Sequence, residues 1–270
     1  MGHEEKPKST GVGSTNSVYV SVRISSAVKS LICVATNFEG ESLRQRLGTR
    51  ADVRVIETGV EPIAWTEKTD PRTNPIRLIY TSTPHRGLEL LVPVFEQLHE
   101  LFPFIELDVY SSFKLYGWDA QDKMYEPLYE RCKSHPAIRY HGAVDQATVR
   151  KAYQDAHIFA YPSIWPETSC RCLIEAMMAG CLCVHPNYAA LPDTSSGMTD
   201  WYDGDDNKDR HARRFAEAMA QIINILRTTD VWDSTGLTNR RKLAHTIATT
   251  RFGWPTVIRK WKNLIAELKA

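Results

Sequence analysis

Short apolar runs and longer amphipathic stretches follow each other regularly between residues 76 and 226. A short apolar run bounded by turn residues predicts a buried strand, and apolar residues that recur every three or four positions predict a helix. The pattern predicts strands at 76–82, 105–110, 138–141, 158–161 and 181–185, and helices at 87–101, 124–133, 146–155, 168–179 and 209–226. This alternation predicts an α/β fold, a Rossmann-like parallel sheet with helices on both faces, because each crossover connection returns over the sheet.

The pattern before residue 76 is less regular. Residues 18–24 alternate apolar and polar side chains as a half-buried strand does, and 31–35, 38–47 and 53–56 predict a strand, a helix and a strand. Residues 61–75 contain three prolines and many charged side chains, which is typical of a linker. A domain boundary is therefore expected in that segment.

The composition narrows the class of protein. Hydrophobic residues make up 43% of the 270 residues, enough for a real core, whereas the formal net charge is only +1, so no nucleic-acid partner is expected. No apolar run approaches the ~20 residues of a membrane-spanning helix, and residues 1–17 form a polar, flexible leader without the apolar centre of a signal peptide. We therefore expect a soluble cytoplasmic protein whose six cysteines are reduced thiols.

Two C-x-C pairs, Cys170–Cys172 and Cys181–Cys183, raise the question of a metal site. The second pair shares one face of a predicted strand, but the first pair points apart at a predicted helix start. No nearby histidine completes a zinc-like set of ligands. No metal is therefore expected.

The chemistry is expected around residues 161–180, YPSIWPETSCRCLIEAMMAG, where Glu167 and Glu175 are eight positions apart. Eight helical residues make a little over two turns, so both carboxylates face one cleft if Glu167 lies just before a helix that carries Glu175. Thr168 and Ser169 are candidate caps, and Gly180 is the expected end of the helix. A helix start leaves N–H groups unpaired, which suits a phosphate group.

The loops that follow the predicted strands are the expected ligand-binding edge of a parallel sheet. One contains Arg86-Gly87, a cation and a glycine that suit close approach by a phosphate. Another contains Gly142-Ala143-Val144, small residues against which a flat ring fits. Neither G-x-G-x-x-G nor G-x-x-x-x-G-K-[ST] occurs, so neither standard nucleotide-binding motif explains the sheet.

Five motifs, taken in order, resemble the donor-binding half of the family 4 retaining glycosyltransferases, which have the GT-B fold. That family has Lys-Gly or Arg-Gly after the first strand, a Gly-x-Val loop, a Pro-Ser strand end, two glutamates separated by seven residues and a Leu-Pro-Glu turn. The motifs here are Arg86-Gly87, Gly142-Ala143-Val144, Pro162-Ser163, Glu167 with Glu175, and Leu191-Pro192-Asp193. Each motif is weak alone, but five in the right order over residues 76–195 are a specific match.

The resemblance also implies a division of the chain. Besides the leader at 1–17, it implies a remnant of the acceptor-side domain at 18–60, a linker at 61–75, a donor-binding domain at 76–250 and a terminal helix at 251–270 that crosses back. The acceptor-side domain is thus expected only as a stub. A second chain or a separate N-terminal domain is therefore an expected partner, and activity of this chain alone is left open.

The resemblance implies a role for each matched residue. Arg86 and Glu167 are the expected catalytic residues, the first neutralising the departing diphosphate and the second contacting the donor sugar. The expected donor-binding residues are Gly87, Ala143, Val144, Ser169, Cys170, Arg171 and Glu175. Of these, Glu175 holds the ribose hydroxyls, Ala143 and Val144 line the base pocket, and the backbone N–H groups of 169–171 hold the diphosphate.

Structural alternatives stand beside these roles. Glu175 is otherwise an exposed helix residue, Glu167 an acid at a helix start and Arg86 a surface residue of a turn. Tyr110 and Ser111 are further candidates for the base pocket, with plain core packing as the alternative for Tyr110. His85 is interpreted as a turn residue, and Trp165 is the one tryptophan nominated for a ligand.

Three functions are compatible with these residues. The first is transfer of a hexose, with retention, from a UDP- or GDP-linked sugar to a glycan, lipid or protein acceptor, without a cofactor. The second is a non-catalytic module that binds a nucleotide sugar, and the third is an epimerase or a phosphorylase. Two carboxylates also suggest the double displacement of glycosidases. We favour instead the same-face substitution attributed to the family, in which the leaving phosphate assists.

Overall fold

The computed structural model describes residues 20–22, 31–47, 52–228 and 235–269. The strands in this part of the chain are β1 (Val20–Val22), β2 (Leu31–Val34), β3 (Asp52–Val55), β4 (Ile76–Thr81), β5 (Ile105–Tyr110), β6 (Ile138–Tyr140), β7 (Ile158–Ala160), β8 (Leu182–Pro186) and β9 (Asp200–Tyr202). The helices are α1 (Asn37–Leu47), α2 (Leu88–Leu101), α3 (Glu126–Ser134), α4 (Gln146–Asp155), α5 (Arg171–Met178), α6 (Leu191–Ser195), α7 (Lys208–Thr228), α8 (Thr235–Phe252) and α9 (Trp254–Lys269). Short 3-10 segments lie at Pro84–Arg86, Phe113–Tyr116 and Asp119–Tyr125.

The large sheet has six parallel strands in the order β6-β5-β4-β7-β8-β9, which confirms the predicted α/β fold. At its centre Leu78 pairs with Leu107 on one side and Ile158 on the other, and all three are fully buried. Such continuous burial is typical of parallel strands that helices cover on both faces. The chain adds β5 and β6 on one side of β4 and then returns to its other side with β7. The loops after β4 and β7 therefore meet at a topological switch point, where ligands bind in such sheets.

The helices pack around this sheet mostly as predicted, with three additions. The short elements α6 and β9 and the long helix α8 lie where no element was predicted. Helix α8 packs against α5, and its residues Ala244, Ala248 and Phe252 are buried in the main core.

Two predicted helix starts are wrong by three residues. The helix expected from Thr168 begins at Arg171, because the carbonyl oxygens of Glu167 and Thr168 accept hydrogen bonds from distant parts of the chain. Helix α5 ends as predicted, with Gly180 at φ 71° two residues after Met178. The terminal helix expected from residue 251 begins at Trp254. The Phe252 carbonyl oxygen accepts the Val60 N–H, and Gly253 forms a β-bridge with Val60.

A small layer is defined as β1–β3 with α1 and α9. Its strands and α1 precede the large domain in the sequence, and α9 follows it. Strand β2 pairs antiparallel with β1 and parallel with β3. Val34, Leu43 and Val53 form the apolar contact between this sheet and α1. Leu31, Cys33, Ile56, Val257 and Leu264 form the contact with α9. Of the predicted strand 18–24 only 20–22 is described, and the predicted leader at 1–17 lies outside the described residues.

The segment 61–75 packs closely on the large domain. Ile63 is buried in the main core, and the Lys68 ammonium group donates hydrogen bonds to the carbonyl oxygens of Tyr153 at 3.0 Å and Gln154 at 3.1 Å. The predicted division of the chain at this segment stays a prediction. All six cysteines lie among the described residues and are free thiols.

Candidate functional site

A cleft of about 310 Å³ opens at the carboxyl ends of the central strands, at the switch point between β4 and β7. Seven of the nine predicted site residues line it: Arg86, Val144, Glu167, Ser169, Cys170, Arg171 and Glu175. The other two, Gly87 and Ala143, do not lie in its wall.

Arg86 and the buried Glu167 form a partly buried ion pair across the switch point. Nη1 of Arg86 donates to both carboxylate oxygens of Glu167 at 2.7 Å, and the Tyr161 hydroxyl donates to Oε1 at 2.5 Å. Burial is the largest influence on the pKa of Arg86 and lowers it, but the Glu167 and Tyr161 groups together outweigh burial and raise that pKa above its ordinary value. Burial, reinforced by the charge of Glu167, raises the pKa of Tyr161 well above its usual range. Arg86 therefore stays charged and Tyr161 keeps its proton, so the Glu167 carboxylate is held by two donors.

Gly87 has a structural reason of its own. Its backbone has φ 126°, and a Cβ atom at this position would lie 2.2 Å from the Pro162 carbonyl oxygen. The absence of a side chain lets the turn that carries Arg86 sit directly against the loop after β7. The glycine thus brings the two halves of the ion pair together, which differs from the predicted approach of a phosphate to Gly87 itself.

Glu175 is a buried carboxylate of α5, with only 6% of its surface exposed. Its Oε1 accepts hydrogen bonds from Gln146 Nε2 at 2.9 Å and Arg171 Nε at 3.1 Å. Burial is the main influence on the pKa of this carboxyl and raises it, while Arg171 opposes that effect. No hydrogen bond to Oε2 comes from the described residues, so this oxygen is available to a hydroxyl group in the cleft.

The segment before α5 presents unused donors to the cleft. Among the residues that the structure describes, the N–H groups of Ser169, Cys170 and Arg171 donate to no protein acceptor. Three further buried polar atoms of cleft residues, Thr83 Oγ1, Ser169 Oγ and Arg86 Nε, have no hydrogen-bond partner in the described part of the protein. Buried donors without partners are costly and rare, so their concentration in one wall points to a ligand rich in acceptor oxygens.

The far end of the cleft is lined by Gly142, Val144, Tyr110 and Tyr116. Tyr110 is 8% exposed and stacks on His141 with 4.3 Å between ring centroids, so it combines core packing with a place in the wall. Ser111 is fully buried, and its carbonyl oxygen accepts the Tyr140 hydroxyl at 2.8 Å. Of the two base-pocket candidates on this strand end, only Tyr110 reaches the cleft wall.

His85 lies in the 3-10 turn beside Arg86, between two aromatic rings. It stacks on Phe113 at 5.2 Å and meets Trp165 edge-on at 4.8 Å. Burial, with a smaller contribution from the Arg86 charge, lowers the pKa of His85 to about 4. The ring is therefore neutral at pH 7 and serves as packing. Trp165 packs over His85 and Arg86, whose Cζ lies 5.7 Å from the ring centroid, and it is not part of the cleft wall.

Sequence patterns missed several cleft residues. Gln146 and Tyr153 both line the cleft from α4, and the Tyr161 hydroxyl donates a hydrogen bond to Glu167. The signal for Tyr161 was its position directly after an apolar strand, where side chains of a parallel sheet reach the ligand edge. The helical spacing of Gln146 and Tyr153, seven residues apart on one face, was the corresponding signal in α4.

Comparison with known proteins agrees with this fold. Residues 76–224, more than half of the chain, match the family described as glycosyl transferases group 1. The chain belongs to this family. A curated human relative, one of the subunits of phosphatidylinositol N-acetylglucosaminyltransferase, is 26% identical over 166 residues, which are 60% of this chain and 33% of the human protein. The chain therefore spans about a third of the length of this human relative.

Solved glycosyltransferases have the same fold. Sucrose-phosphate synthase from Thermosynechococcus elongatus superposes with a TM-score of 0.69 at 19% identity, over 88% of this chain and 58% of that one. Anabaena HepE, solved with UDP and glucose, superposes with a TM-score of 0.63 at 16% identity, over 87% of this chain and 62% of that one. These likenesses establish a GT-B-like fold for this group 1 family member.

Two features are absent from the described residues. No helix there is long and apolar enough to cross a membrane. No group of three or more His, Cys, Asp or Glu side chains in the described segments is arranged to hold a metal ion.

Proposed function

We propose that this chain supplies the donor-binding half of a retaining glycosyltransferase that moves a hexose from UDP to a glycan, lipid or protein acceptor. The observation that carries the proposal is the set of unused donors at Ser169, Cys170 and Arg171, next to the charged Arg86. A diphosphate supplies the acceptor oxygens that these groups lack, and a helix start adds a favourable dipole. Membership of the glycosyl transferases of group 1 supports the same assignment.

The remaining groups of the cleft fit the other parts of a nucleotide sugar. The free Oε2 of Glu175 suits a ribose hydroxyl, and the wall of Gly142, Val144 and Tyr110 suits a flat base. UDP is preferred over GDP as the expected nucleotide because Anabaena HepE, a structural relative, was solved with UDP. The human relative belongs to an N-acetylglucosaminyltransferase, which makes UDP-N-acetylglucosamine the first donor to test beside UDP-glucose.

The state of Glu167 favours substitution on one face of the sugar over double displacement. Both of its carboxylate oxygens accept from Arg86, and one also accepts from Tyr161, so the group is a poor nucleophile. In the proposed step the bond from sugar C1 to the β-phosphate oxygen breaks, and its electron pair leaves with UDP. The acceptor oxygen attacks C1 on the same face and gives its proton to the departing phosphate. Arg86 and the helix start stabilise the charge that develops there.

Isothermal calorimetry of the chain with UDP, GDP, UDP-glucose and UDP-N-acetylglucosamine tests the proposal. We expect UDP compounds to bind, and Glu175→Ala to weaken UDP by about tenfold through loss of a charged hydrogen bond. Glu217→Ala, which removes a glutamate of α7 outside the cleft wall, is the matched control and leaves the affinity unchanged. No binding of any of the four ligands at millimolar concentration refutes the site. Binding without donor hydrolysis or transfer, with an acceptor-side partner present, favours a non-catalytic module.

A further inference from the structure

The phosphate-facing segment is held by residues of the small layer. Thr36 is fully buried, and its hydroxyl donates to the carbonyl oxygen of Thr168 at 2.7 Å, across 132 positions of the sequence. The same hydroxyl oxygen accepts the Glu39 N–H at 3.3 Å, as an N-cap of α1 does. Thr36 thus joins the start of α1 to the wall of the cleft through one hydroxyl group.

Glu39 stabilises the same start of α1. Glu39 is 7% exposed, and its Oε2 accepts the Ala35 N–H at 2.9 Å, much as in a capping box. Burial is the main influence on the pKa of Glu39 and raises it, while hydrogen bonds from Ala35, Thr36 and the Thr168 side chain act in the opposite direction. Thr36 and Glu39 together cap the start of α1, and Thr36 also binds the carbonyl of Thr168.

The neighbouring turn completes this arrangement. The Ala190 N–H donates to the Glu167 carbonyl at 3.0 Å, and Ala189 before it adopts φ 51°, a strained value for a residue with a side chain. In the same turn Asp193 accepts the Asn37 N–H through Oδ2 at 2.7 Å and bonds Arg251 through Oδ1 at 3.1 Å. A carboxylate at the first N–H of a helix is favourable. The start of α1 is thereby held against the turn that also holds Glu167.

These bonds determine where the donors of the cleft point. The carbonyl and N–H of a trans peptide point in opposite directions, and the peptide is rigid. When Thr36 fixes the Thr168 carbonyl, it also fixes the direction of the Ser169 N–H, which belongs to the same peptide. When Ala190 fixes the Glu167 carbonyl, it fixes the Thr168 N–H in the same way.

We propose that Thr36, supported by Asp193, is a positioning residue for donor binding, which orients the Ser169 peptide toward the diphosphate from outside the donor-binding domain. The proposal rests on the proposed function, because it takes the diphosphate as the ligand of that peptide. Since the coupling is reciprocal, bound UDP in turn stabilises the start of α1 on the large domain. Donor binding and docking of the small layer on the large domain are then coupled, so each favours the other.

The test compares the UDP affinity of the full chain and four variants. We expect Thr36→Val, which keeps the shape but loses the hydroxyl, to weaken UDP by about 3- to 10-fold, and Thr36→Ser to restore the wild-type value. Asp193→Asn is expected to weaken UDP by a smaller factor. The matched control is Thr66→Val. It removes a hydroxyl outside the cleft wall, which donates to the Gln154 carbonyl oxygen at a distance of 3.4 Å.

Hydrogen exchange gives an independent measurement, and its wild-type arm does not depend on the folding of any variant. We expect saturating UDP to slow exchange of the amides at 37–40 and to have no such effect in Thr36→Val. Unchanged UDP affinity in Thr36→Val, or no effect of UDP on those amides, refutes the positioning role. If wild type fails to bind UDP at all, the donor site itself is wrong, and the two failures are thereby told apart.

Discussion

The two ends of the large sheet both bury cations, but they satisfy them in different ways. At the amino ends of the strands, Arg241 is 2% exposed, donates from Nε to the Gly180 carbonyl at 2.7 Å and lies over the Trp65 ring at 4.9 Å. Lys68 nearby is bound by two carbonyl oxygens. Burial lowers the pKa of Arg241 to about 10 and is also the main reason why the pKa of Lys68 is lowered. These cations bind the backbone and hold elements together.

At the carboxyl ends the partly buried cation pairs with a carboxylate instead. Arg86 is neutralised by Glu167, and the wall around the pair contains N–H and hydroxyl groups without partners in the described part of the protein. Backbone carbonyls hold the cations at the amino ends, whereas the carboxyl ends keep donors without protein partners, which a ligand can use. The comparison teaches that burial of a charge alone does not mark function. Function is indicated instead by the type of group that pairs with the charge and by nearby donors that have no protein partner.

The largest effect is expected at the carboxyl end. Arg86→Ala should weaken UDP by about 30-fold or more, because the proposed pair between Arg86 and the diphosphate is lost and Glu167 is left as an unpaired negative charge beside the ligand, a change of roughly 2–5 kcal/mol. Calorimetry measures the affinity, and Arg210→Ala, an exposed arginine of α7, is the control. An unchanged affinity for Arg86→Ala would remove the functional distinction between the two ends.

A smaller effect of another kind is expected at the amino end. Arg241→Met should lower the free energy of unfolding by about 2 kcal/mol, because the Gly180 carbonyl loses its buried donor. Urea denaturation measures this loss, and Lys242→Met, at an exposed neighbouring position, should change little. UDP affinity should stay at the wild-type value in both variants. A large drop in affinity for Arg241→Met would show that the amino end is not purely structural.

The smallest expected effect on UDP affinity distinguishes two histidines whose pKa values are similar. His157 at the amino end and His85 at the carboxyl end both have pKa values lowered to about 4, chiefly by burial. Between about pH 6.5 and 4 the unfolded chain binds a proton that the folded chain does not, so each histidine makes stability fall as the pH falls. For His157 this amounts to about 1 kcal/mol between pH 6 and 5, given about 1.4 kcal/mol for each pKa unit.

Unfolding curves at pH 5 and pH 6 measure this slope. His157→Gln and His85→Gln should both make it shallower, because glutamine does not titrate. Only His85→Gln should also change UDP affinity, by about two- to threefold, since its ring supports the turn of Arg86 between Phe113 and Trp165. Equal effects of the two variants on affinity would contradict the distinction.

The regular part of the fold was predictable because its strands are buried on both faces. Strand β7, at Ile158–Ala160, lies within one residue of the predicted range 158–161, since a continuous apolar run has a clear beginning and end. Helix α8 was not predicted because much of it faces solvent, and its buried positions include an arginine, Arg241, and the small residues Ala244 and Ala248. Three-residue β9 carries too few positions for a pattern.

The site was predictable as a set of residue types and loops, but its connections were not. The order of motifs brought Arg86, Glu167 and Glu175 to one cleft, and the structure places all three there. The start of α5 was misplaced because the Thr168 carbonyl is bound by Thr36, 132 positions away, and local sequence contains no trace of such a bond. Gly87 shows the same limit, since its need for φ 126° comes from the Pro162 carbonyl.

The pairing of charges in the cleft has a consequence for selectivity among the anions of a cell. The charged side chains in its wall are two arginines, Arg86 and Arg171, and two glutamates, Glu167 and Glu175. Such a balanced wall gives no general attraction for phosphate, sulfate or polyanions, because each cation already has a carboxylate beside it. An anion must offer hydroxyl groups to the carboxylates while its oxygens engage the arginines. The wall thus favours binding of a molecule that carries both hydroxyl groups and phosphate oxygens. Inorganic phosphate is expected to compete only weakly with such a molecule for the cleft.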